Sequence, residues 1–201
     1  LGGHLDLYQV HSATLQSGVL DNHEVLARLA DLRDQGLMIG LSVSGPTQAD
    51  VVRKSLDCHV GGRQVFAAVQ ATWNLLEPSA GVALQEANDA GWRVIVKEGV
   101  ANGRLTDRNE NPEFEPRRQK LQAVAERFES TTDAVSLAAV LAQPWASVVL
   151  SGAAVAQHVR SNVAALALAG EVKGDQWETL VGELGEPPEE YWATRSGLSW
   201  N

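Results

Sequence analysis

The sequence predicts a parallel α/β fold, in which strands and helices alternate along the chain. Five short apolar stretches have the length and composition of strands, and segments with helical periodicity separate them. At Gly36 and again at Gly91, a helical segment ends in glycine and a strand-like segment follows directly. Short helix-to-strand turns of this kind are typical of successive βα units.

Residues 5–70 contain three of the five predicted strands. The first alternates apolar and polar residues, and Asp21, three residues before Glu24, is predicted to cap the helix that follows. Leu26 and Leu29 lie on the apolar face of that helix. The predicted elements are a strand over 5–10, a helix over 21–36, a strand over 38–43, a helix over 47–57 and a strand over 65–70.

The rest of the chain contains two more strands and a longer irregular stretch, which covers residues 97–116. Pro144 is predicted to end a helix. Residues 186–201 are predicted to form an irregular tail because of the Glu186-Pro187-Pro188 run. The other predicted elements are helices over 79–91, 117–128, 133–143 and 155–168, strands over 93–96 and 147–150, and an amphipathic segment that ends at 185.

Two architectures fit this order of elements. One is an open, doubly wound sheet and the other is part of a (β/α)8 barrel. A complete barrel takes about 250 residues, and this chain is short of that by about three βα units. The pattern of residues does not separate the two.

Composition excludes several classes of protein. The chain has 201 residues, with 16 Lys and Arg against 25 Asp and Glu, so its formal charge is −9. An acidic chain argues against nucleic acid or an anionic membrane as the main partner. Cys58 is the only cysteine and the histidines show no metal-ligand spacing, so we expect neither a disulfide framework nor a metal site. We also expect no membrane span and a reducing, cytoplasmic setting.

Polar residues follow the predicted strands at their carboxyl ends, where both architectures place the active site. His11 stands out because it directly follows an apolar strand and because a neutral imidazole can donate a hydrogen bond to a carbonyl oxygen. A lone histidine is nevertheless more often structural than catalytic. The other residues at strand ends are Ser44, Gln70, Lys97, Gly99, Arg104, Ser151 and Gly152.

Two further features indicate small-molecule binding. Ser151 and Gly152 precede a helix whose N-terminal N–H groups would suit a phosphate, although a tight turn that needs a small residue explains them equally well. Trp73 at a strand end and Trp192 and Trp200 in the tail could form the wall of a substrate pocket. Neither a G-x-G-x-x-G motif after a strand nor a P-loop is present.

The residues resemble the aldo/keto reductase family in an ordered set of segments. Residues 5–12 look like the fourth barrel strand, which ends in a catalytic histidine, and residues 39–44 resemble the fifth. Residues 69–76, with Gln70 and the Trp73-Asn74-Leu75-Leu76 run, resemble the sixth. Residues 94–105 resemble the seventh strand and its loop, and residues 152–162 resemble the last, adenosine-binding segment. The resemblance implies an incomplete TIM barrel, with strands four to eight in residues 1–185 and a tail in 186–201.

The resemblance also implies roles for individual residues. His11 would polarise the carbonyl or orient the substrate, and Ser44 and Gln70 would bind the nicotinamide amide. Lys97, Gly99 and Arg104 would lie where the chain passes the cofactor. The adenosine half would meet Ser151, Gly152, Gln157, His158 and Asn162. The implied reaction is hydride transfer between NADP or NAD and an aldehyde, ketone or alcohol.

Departures from the family pattern limit these expectations. Gly45 replaces an asparagine that binds the amide, and Lys97 replaces an aromatic residue that stacks on the nicotinamide. Gly152 and His158 replace cations that grip the 2′-phosphate, so the choice between NADP and NAD stays open.

The family's catalytic Tyr, Asp and Lys come from the first three βα units, which this chain does not match. Tyr8 and Tyr191 do not fit the role of proton donor. We therefore expect the N-terminal part of the barrel as a partner. A non-catalytic sensor or scaffold that binds the cofactor is the alternative, and an unrelated open-sheet protein is a third possibility.

Overall fold

A computed structural model describes residues 4–172 and 174–198. Within that range the chain divides into two compact units. The first unit runs through residue 71 and continues from 79 to 95, and the second comprises residues 72–78 and the chain from 96 onward.

The first unit contains three parallel strands and the helices that connect them. The elements of this unit are β1 (Leu7–Val10), α1 (His23–Asp34), β2 (Met38–Ser42), α2 (Gln48–Leu56), β3 (His59–Val60), β4 (Arg63–Gln64), β5 (Ala68–Thr72), α3 (Gly81–Asp89) and the start of β6 (Arg93–Lys97). The backbone register pairs Val10 of β1 with Leu41 of β2, and Ser42 of β2 with Gln70 of β5.

Close contact between β2 and β5 explains one glycine. A Cβ atom added at Gly40 would lie 3.0 Å from the carbonyl oxygen of Ala68. Ile39, Leu41 and Val69, which surround this contact, are fully buried. The parallel pairing of the predicted strands is confirmed, and glycine is required where two backbones approach closely.

One local prediction in this unit is wrong, and one element of it was not predicted. Helix α1 is capped by Asn22 and not by Asp21: the Asn22 Oδ1 accepts hydrogen bonds from the N–H groups of Glu24 and Val25, each at 3.1 Å. In addition, β3 and β4 form an antiparallel hairpin that was not predicted. Gly61 and Gly62 form its turn, both with positive φ, and a Gly-Gly pair is a hairpin signal that the prediction did not use.

The second unit is mostly helical and holds the last strand. This last strand, β7 (Val148–Val149), lies beside β6, because the N–H of Leu150 donates to the carbonyl of Val96 at 2.9 Å. The order of strands in the sheet is β1-β2-β5-β6-β7. The elements of this unit after β6 are α4 (Glu115–Arg127), α5 (Thr132–Leu141), β7 (Val148–Val149), α6 (Ala156–Glu171), α7 (Gly174–Leu184) and α8 (Pro188–Gly197).

The C-terminal segment was predicted to be irregular, but most of it forms helix α8. Pro188 occupies the start of helix α8, where proline is compatible with a helix because its missing N–H would lack an intrahelical partner there. Tyr191 of α8 is 1% exposed and belongs to the hydrophobic core of the second unit, together with Leu75, Leu105 and Leu121. The two prolines start this helix, whereas the prediction treated them as breaking it.

None of the helices in the described part of the chain is both long and apolar enough to cross a membrane.

Candidate functional site

In the first unit, His11 lies at the carboxyl end of the sheet, directly after β1. The N–H of the next residue, Ser12, donates to the Ser42 Oγ at 2.9 Å, and the N–H of Ala13 donates to the Ser42 carbonyl at 2.8 Å. These bonds tie the turn after β1 to the end of β2. The His11 side chain itself is exposed, so it is available to a ligand.

The end of β5 lies next in the same row. Gln70 pairs in register with Ser42, and the Gln70 carbonyl accepts a hydrogen bond from the N–H of Val43 at 2.9 Å. Both Gln70 and Ser44 are half-buried. The structure therefore brings three predicted site residues, His11, Ser44 and Gln70, to the ends of three adjacent strands.

In the second unit, Asn74 organises the turn after β5. Its Oδ1 accepts hydrogen bonds from the N–H groups of Leu76 at 2.9 Å and of Glu77 at 3.0 Å. Its Nδ2 donates to the Glu98 carbonyl and to the Tyr191 hydroxyl, both at 3.0 Å. One buried amide thus connects the turn after β5, the turn after β6 and helix α8.

Trp73 and Trp192 are placed differently from a pocket wall. Trp73 is 3% exposed and packs edge-on against Trp145, with 5.7 Å between ring centroids. Trp192 lies on α8 against Tyr191, at 5.5 Å between centroids, and its Nε1 is buried without a hydrogen-bond partner among the described residues. Trp200 lies outside the described residues. Trp73 is a core residue here, and Trp192 is half-buried.

The carboxyl end of β6 places a cation and a carboxylate side by side: Lys97 is the last residue of the strand and Glu98 is the first residue after it. Burial lowers the pKa of the Lys97 ammonium; the Glu98 carboxylate acts in the opposite direction, and Arg195 adds to the lowering. Glu98 has a φ of 58°, in the left-handed region. The Glu98 Oε1 accepts hydrogen bonds from the Arg195 Nε at 3.0 Å and Nη2 at 2.9 Å, and these bonds raise the pKa of Arg195.

Arg104 has a protein partner in this structure. Its guanidinium donates to both carboxylate oxygens of Glu186, at 2.9 and 2.6 Å, and the side chains are 15% and 9% exposed. It also lies 5.5 Å from the ring centroid of Tyr191 and 6.0 Å from that of Phe114. The resemblance implied that Arg104 contacts the cofactor. Its guanidinium is already paired with Glu186, so a cofactor would have to compete with this ion pair for Arg104.

Gly99 packs against the core. A Cβ atom at this position would lie 2.9 Å from the Cδ2 of Leu137 on α5 and 3.5 Å from the Cγ2 of Val140. The close packing of α5 favours glycine here, because a Cβ atom would have to displace the end of the Leu137 side chain. The packing of Gly99 against Leu137 is enough to explain glycine at this position, and the expected contact with the cofactor is not needed to explain it.

We expect Gly99→Ala to lower the free energy of unfolding by roughly 1–3 kcal/mol, because the added methyl group must displace the Leu137 side chain. The control is Gly170→Ala in α6, where no heavy atom lies within 4 Å of the added carbon. This change should stabilise the protein by about 0.4–1 kcal/mol. Urea denaturation measures both, and a Gly99→Ala protein as stable as the wild type would contradict the prediction.

The segment between β7 and α6 brings together four predicted site residues. The Ser151 Oγ accepts from the N–H of Ala153 at 3.2 Å, and the Ser151 carbonyl accepts from the Asn162 Nδ2 at 3.0 Å. The His158 Nδ1 accepts from the N–H of Ala154 at 3.4 Å. Gly152 has a φ of 63°, in the left-handed region.

The start of α6 offers donors to an anion. Val155, at the N-cap of this helix, has no side-chain acceptor, and no side-chain cap is seen among the described residues. Gln157 lies in the first turn and is exposed. No atom of the described residues lies within 4 Å of a Cβ atom added at Gly152, so in this part of the structure the approach to the turn is open. This arrangement suits a phosphate or another anionic group.

Sequence reasoning missed the network of Asn74, Glu98, Glu186, Tyr191 and Arg195. Asn74 and Glu98 could have been selected from the sequence, because each is a polar residue within two positions of the end of a strand. Nothing in the local sequence indicates Glu186 or Arg195, because their partners, Arg104 and Glu98, lie 82 and 97 residues away along the chain. Among the described residues no group of three or more His, Cys, Asp or Glu side chains could hold a metal ion.

Comparison with known proteins identifies relatives of this arrangement. A model of the aldo/keto reductase family matches residues 2–182. Two solved structures, the aldo-keto reductase AKR11C1 from Bacillus halodurans in its holo and apo forms, share 22% and 21% sequence identity with the chain, at TM-scores of 0.64 and 0.66. Each match covers 90% of this chain but only 61% or 62% of the solved chain. No curated protein matches the chain.

Proposed function

The chain belongs to the aldo/keto reductase family, and on this premise we propose that it forms strands four to eight of a nicotinamide-dependent carbonyl reductase. The predicted incomplete (β/α)8 barrel is confirmed by the parallel strand order and by the fold of the solved relatives. The observation that carries the proposal is the row of His11, Ser44 and Gln70 at the ends of adjacent parallel strands.

The residues present fit a nicotinamide dinucleotide in two respects. The half-buried side chains of Ser44 and Gln70 have the donors and acceptors that an amide group requires. The open turn at Gly152 and the uncapped start of α6 suit a phosphate-bearing group, and Gln157, His158 and Asn162 follow in the same helix. We propose these two sets as cofactor contacts. Arg104 and Gly99 are not among these proposed contacts, because the Arg104 guanidinium is already paired with Glu186 and the Leu137 side chain already packs against Gly99.

When bound, the cofactor supplies the hydride for the carbonyl carbon. The chain's own contribution is His11, whose exposed imidazole can donate a hydrogen bond to the carbonyl oxygen and hold the substrate in place. The proton for that oxygen needs another donor. Tyr191 does not serve, because its side chain is 1% exposed and burial raises the pKa of its hydroxyl, which makes that hydroxyl a weaker acid.

We therefore propose that the N-terminal βα units of the barrel complete the site with the proton donor. The match covers only 61% or 62% of the solved relatives, so more than a third of their length has no counterpart in this chain, which supports the proposal. The substrate class is an aldehyde or ketone, or the corresponding alcohol. A cytoplasmic setting stays a prediction that rests on the single, buried Cys58.

The test is to titrate the protein that carries the N-terminal units with NADPH and with NADH, following nicotinamide fluorescence, and then to add an aromatic aldehyde. Saturable binding of either cofactor with oxidation on adding aldehyde supports the reductase. Binding without oxidation of the cofactor by any aldehyde or ketone tested supports the sensor alternative, which two departures from the family pattern motivate: Gly45, and Lys97 as a half-buried cation at the end of β6. Absence of binding to both cofactors would refute the proposal.

A further inference from the structure

Helices α4 and α7 of the second unit pack antiparallel and are joined by polar contacts at one end. The Arg117 Nε, near the start of α4, donates to the Leu184 carbonyl at the end of α7, at 3.0 Å. Three residues further along α4, the Lys120 ammonium lies 3.6 Å from the Glu183 carboxylate. Beyond these contacts, the last turn of α4 faces the first half of α7.

A pocket of about 210 Å³ lies between the two helices at that point, and we call it the α4–α7 pocket. An apolar cavity of about 150 Å³ can hold benzene, so this pocket has room for an aromatic ring with a short chain. None of the residues that we propose as cofactor contacts lines it. Its apolar wall is formed by core residues and by side chains packed on that core: Val124, Phe128, Val172, Trp177 and Leu180.

The wall of the pocket contains a hydrogen-bond donor that lacks an acceptor. Trp177 is 3% exposed, and its Nε1 is buried with no hydrogen-bond partner among the described residues. A buried donor without an acceptor lowers the stability of the folded protein, so packing alone gives no reason for an indole here. An oxygen atom of a bound molecule can supply the missing acceptor.

The rim of the pocket carries a cation that has no carboxylate partner among the described residues. This cation is Arg127, the last residue of α4, which is exposed and whose guanidinium lies 5.3 Å from the ring centroid of Phe128. The one carboxylate among the residues described as lining the pocket is Glu183, and it is paired with Lys120. The charge that remains for a ligand at this rim is therefore positive.

We propose that the α4–α7 pocket binds a small carboxylate with an aromatic or short aliphatic body. The body lies against Phe128, Trp177 and Leu180, and the carboxylate faces the Arg127 guanidinium. An apolar cavity with a few polar groups is typical of small-molecule sites, and a guanidinium forms its strongest hydrogen bonds with carboxylates and phosphates. This site goes beyond the proposed reductase activity and does not depend on it.

A nuclear magnetic resonance titration of the ¹⁵N-labelled protein that contains the N-terminal units tests the proposal, with 4-phenylbutyrate as the probe. Each tryptophan gives one indole N–H signal, and Trp177→Phe identifies the signal of Trp177. We expect this signal to shift saturably, with a dissociation constant on the order of 1 mM for a ligand of about a dozen non-hydrogen atoms. The shift should be the same with and without NADPH. A Trp177 signal that shows no saturable shift would overturn the proposal.

Charge variants test which ligand the pocket prefers. Arg127→Gln should weaken the binding of 4-phenylbutyrate by roughly two- to fivefold, the range of an exposed ion pair, and should leave the binding of uncharged 4-phenylbutyramide unchanged. The matched control is Arg93→Gln, because Arg93 is also exposed but lies at the start of β6 and does not line the pocket. Glu183→Gln removes a like charge, so it should leave the affinity for the carboxylate equal or raise it.

Two outcomes of these titrations contradict the proposal. Equal weakening of both compounds by Arg127→Gln would show that the variant acts through packing and not through charge. Weaker binding of the carboxylate to Glu183→Gln would show that the pocket selects cations. Because neither readout needs cofactor turnover, a protein that binds the probe but reduces no carbonyl keeps this site and loses only the reductase proposal.

Discussion

Replacing His11 with Ala is expected to lower kcat for carbonyl reduction by roughly 10²–10⁴-fold in the protein that contains the N-terminal units, the range typical of a positioned acid–base residue. The imidazole is exposed at the end of β1, beside the hydrogen-bonded junction of Ser12 and Ser42. Its removal takes away a donor to the carbonyl oxygen. Stopped-flow measurement of NADPH or NADH oxidation reads the rate.

The control for this variant is His59→Ala. His59 is also exposed but lies in the β3–β4 hairpin, after the C-terminal end of α2, at the opposite end of the βα unit from the strand carboxyl ends. Cofactor affinity should be the same in both variants, because neither residue belongs to the proposed cofactor contacts. A His11→Ala enzyme with wild-type kcat would remove His11 from the mechanism.

Replacing Glu186 with Gln is expected to destabilise the protein by roughly 3 kcal/mol, since it leaves the guanidinium of Arg104 largely buried without its countercharge. Arg104 donates two hydrogen bonds to this carboxylate, and Arg117 lies 3.9 Å from it. Urea denaturation measures the loss.

The chain offers a matched control in the pair of Arg53 and Glu86. This pair has the same two-bond geometry, at 2.8 and 3.0 Å, but the side chains are 46% and 42% exposed. Glu86→Gln should leave the unfolding midpoint almost unchanged because water screens an exposed pair. Equal losses in the two variants would show that burial does not set the strength of the Arg104–Glu186 pair.

Local features predicted most of the strands correctly because the signals lie within a few residues of one another. β2 and β6 each follow a glycine that ends a helix, and both were predicted to within one residue. The error at Asn22 was a choice between two adjacent cap residues, Asp21 and Asn22, either of which can cap a helix. Helix α8 was missed because proline both breaks helices and begins them, and only packing of Tyr191 decides which.

The sequence by itself determined the order of the βα units and the placement of His11, Ser44 and Gln70 at strand ends, because period, glycine position and strand polarity are local properties. Its ordered motifs also resembled the aldo/keto reductase family, which the family model over residues 2–182 shows. Only the tertiary structure decided the partners of Arg104 and Glu98. These ion pairs join residues 82 and 97 positions apart, and such contacts form when the C-terminal helix packs into place. Buried charges require a partner but do not specify where along the chain that partner lies.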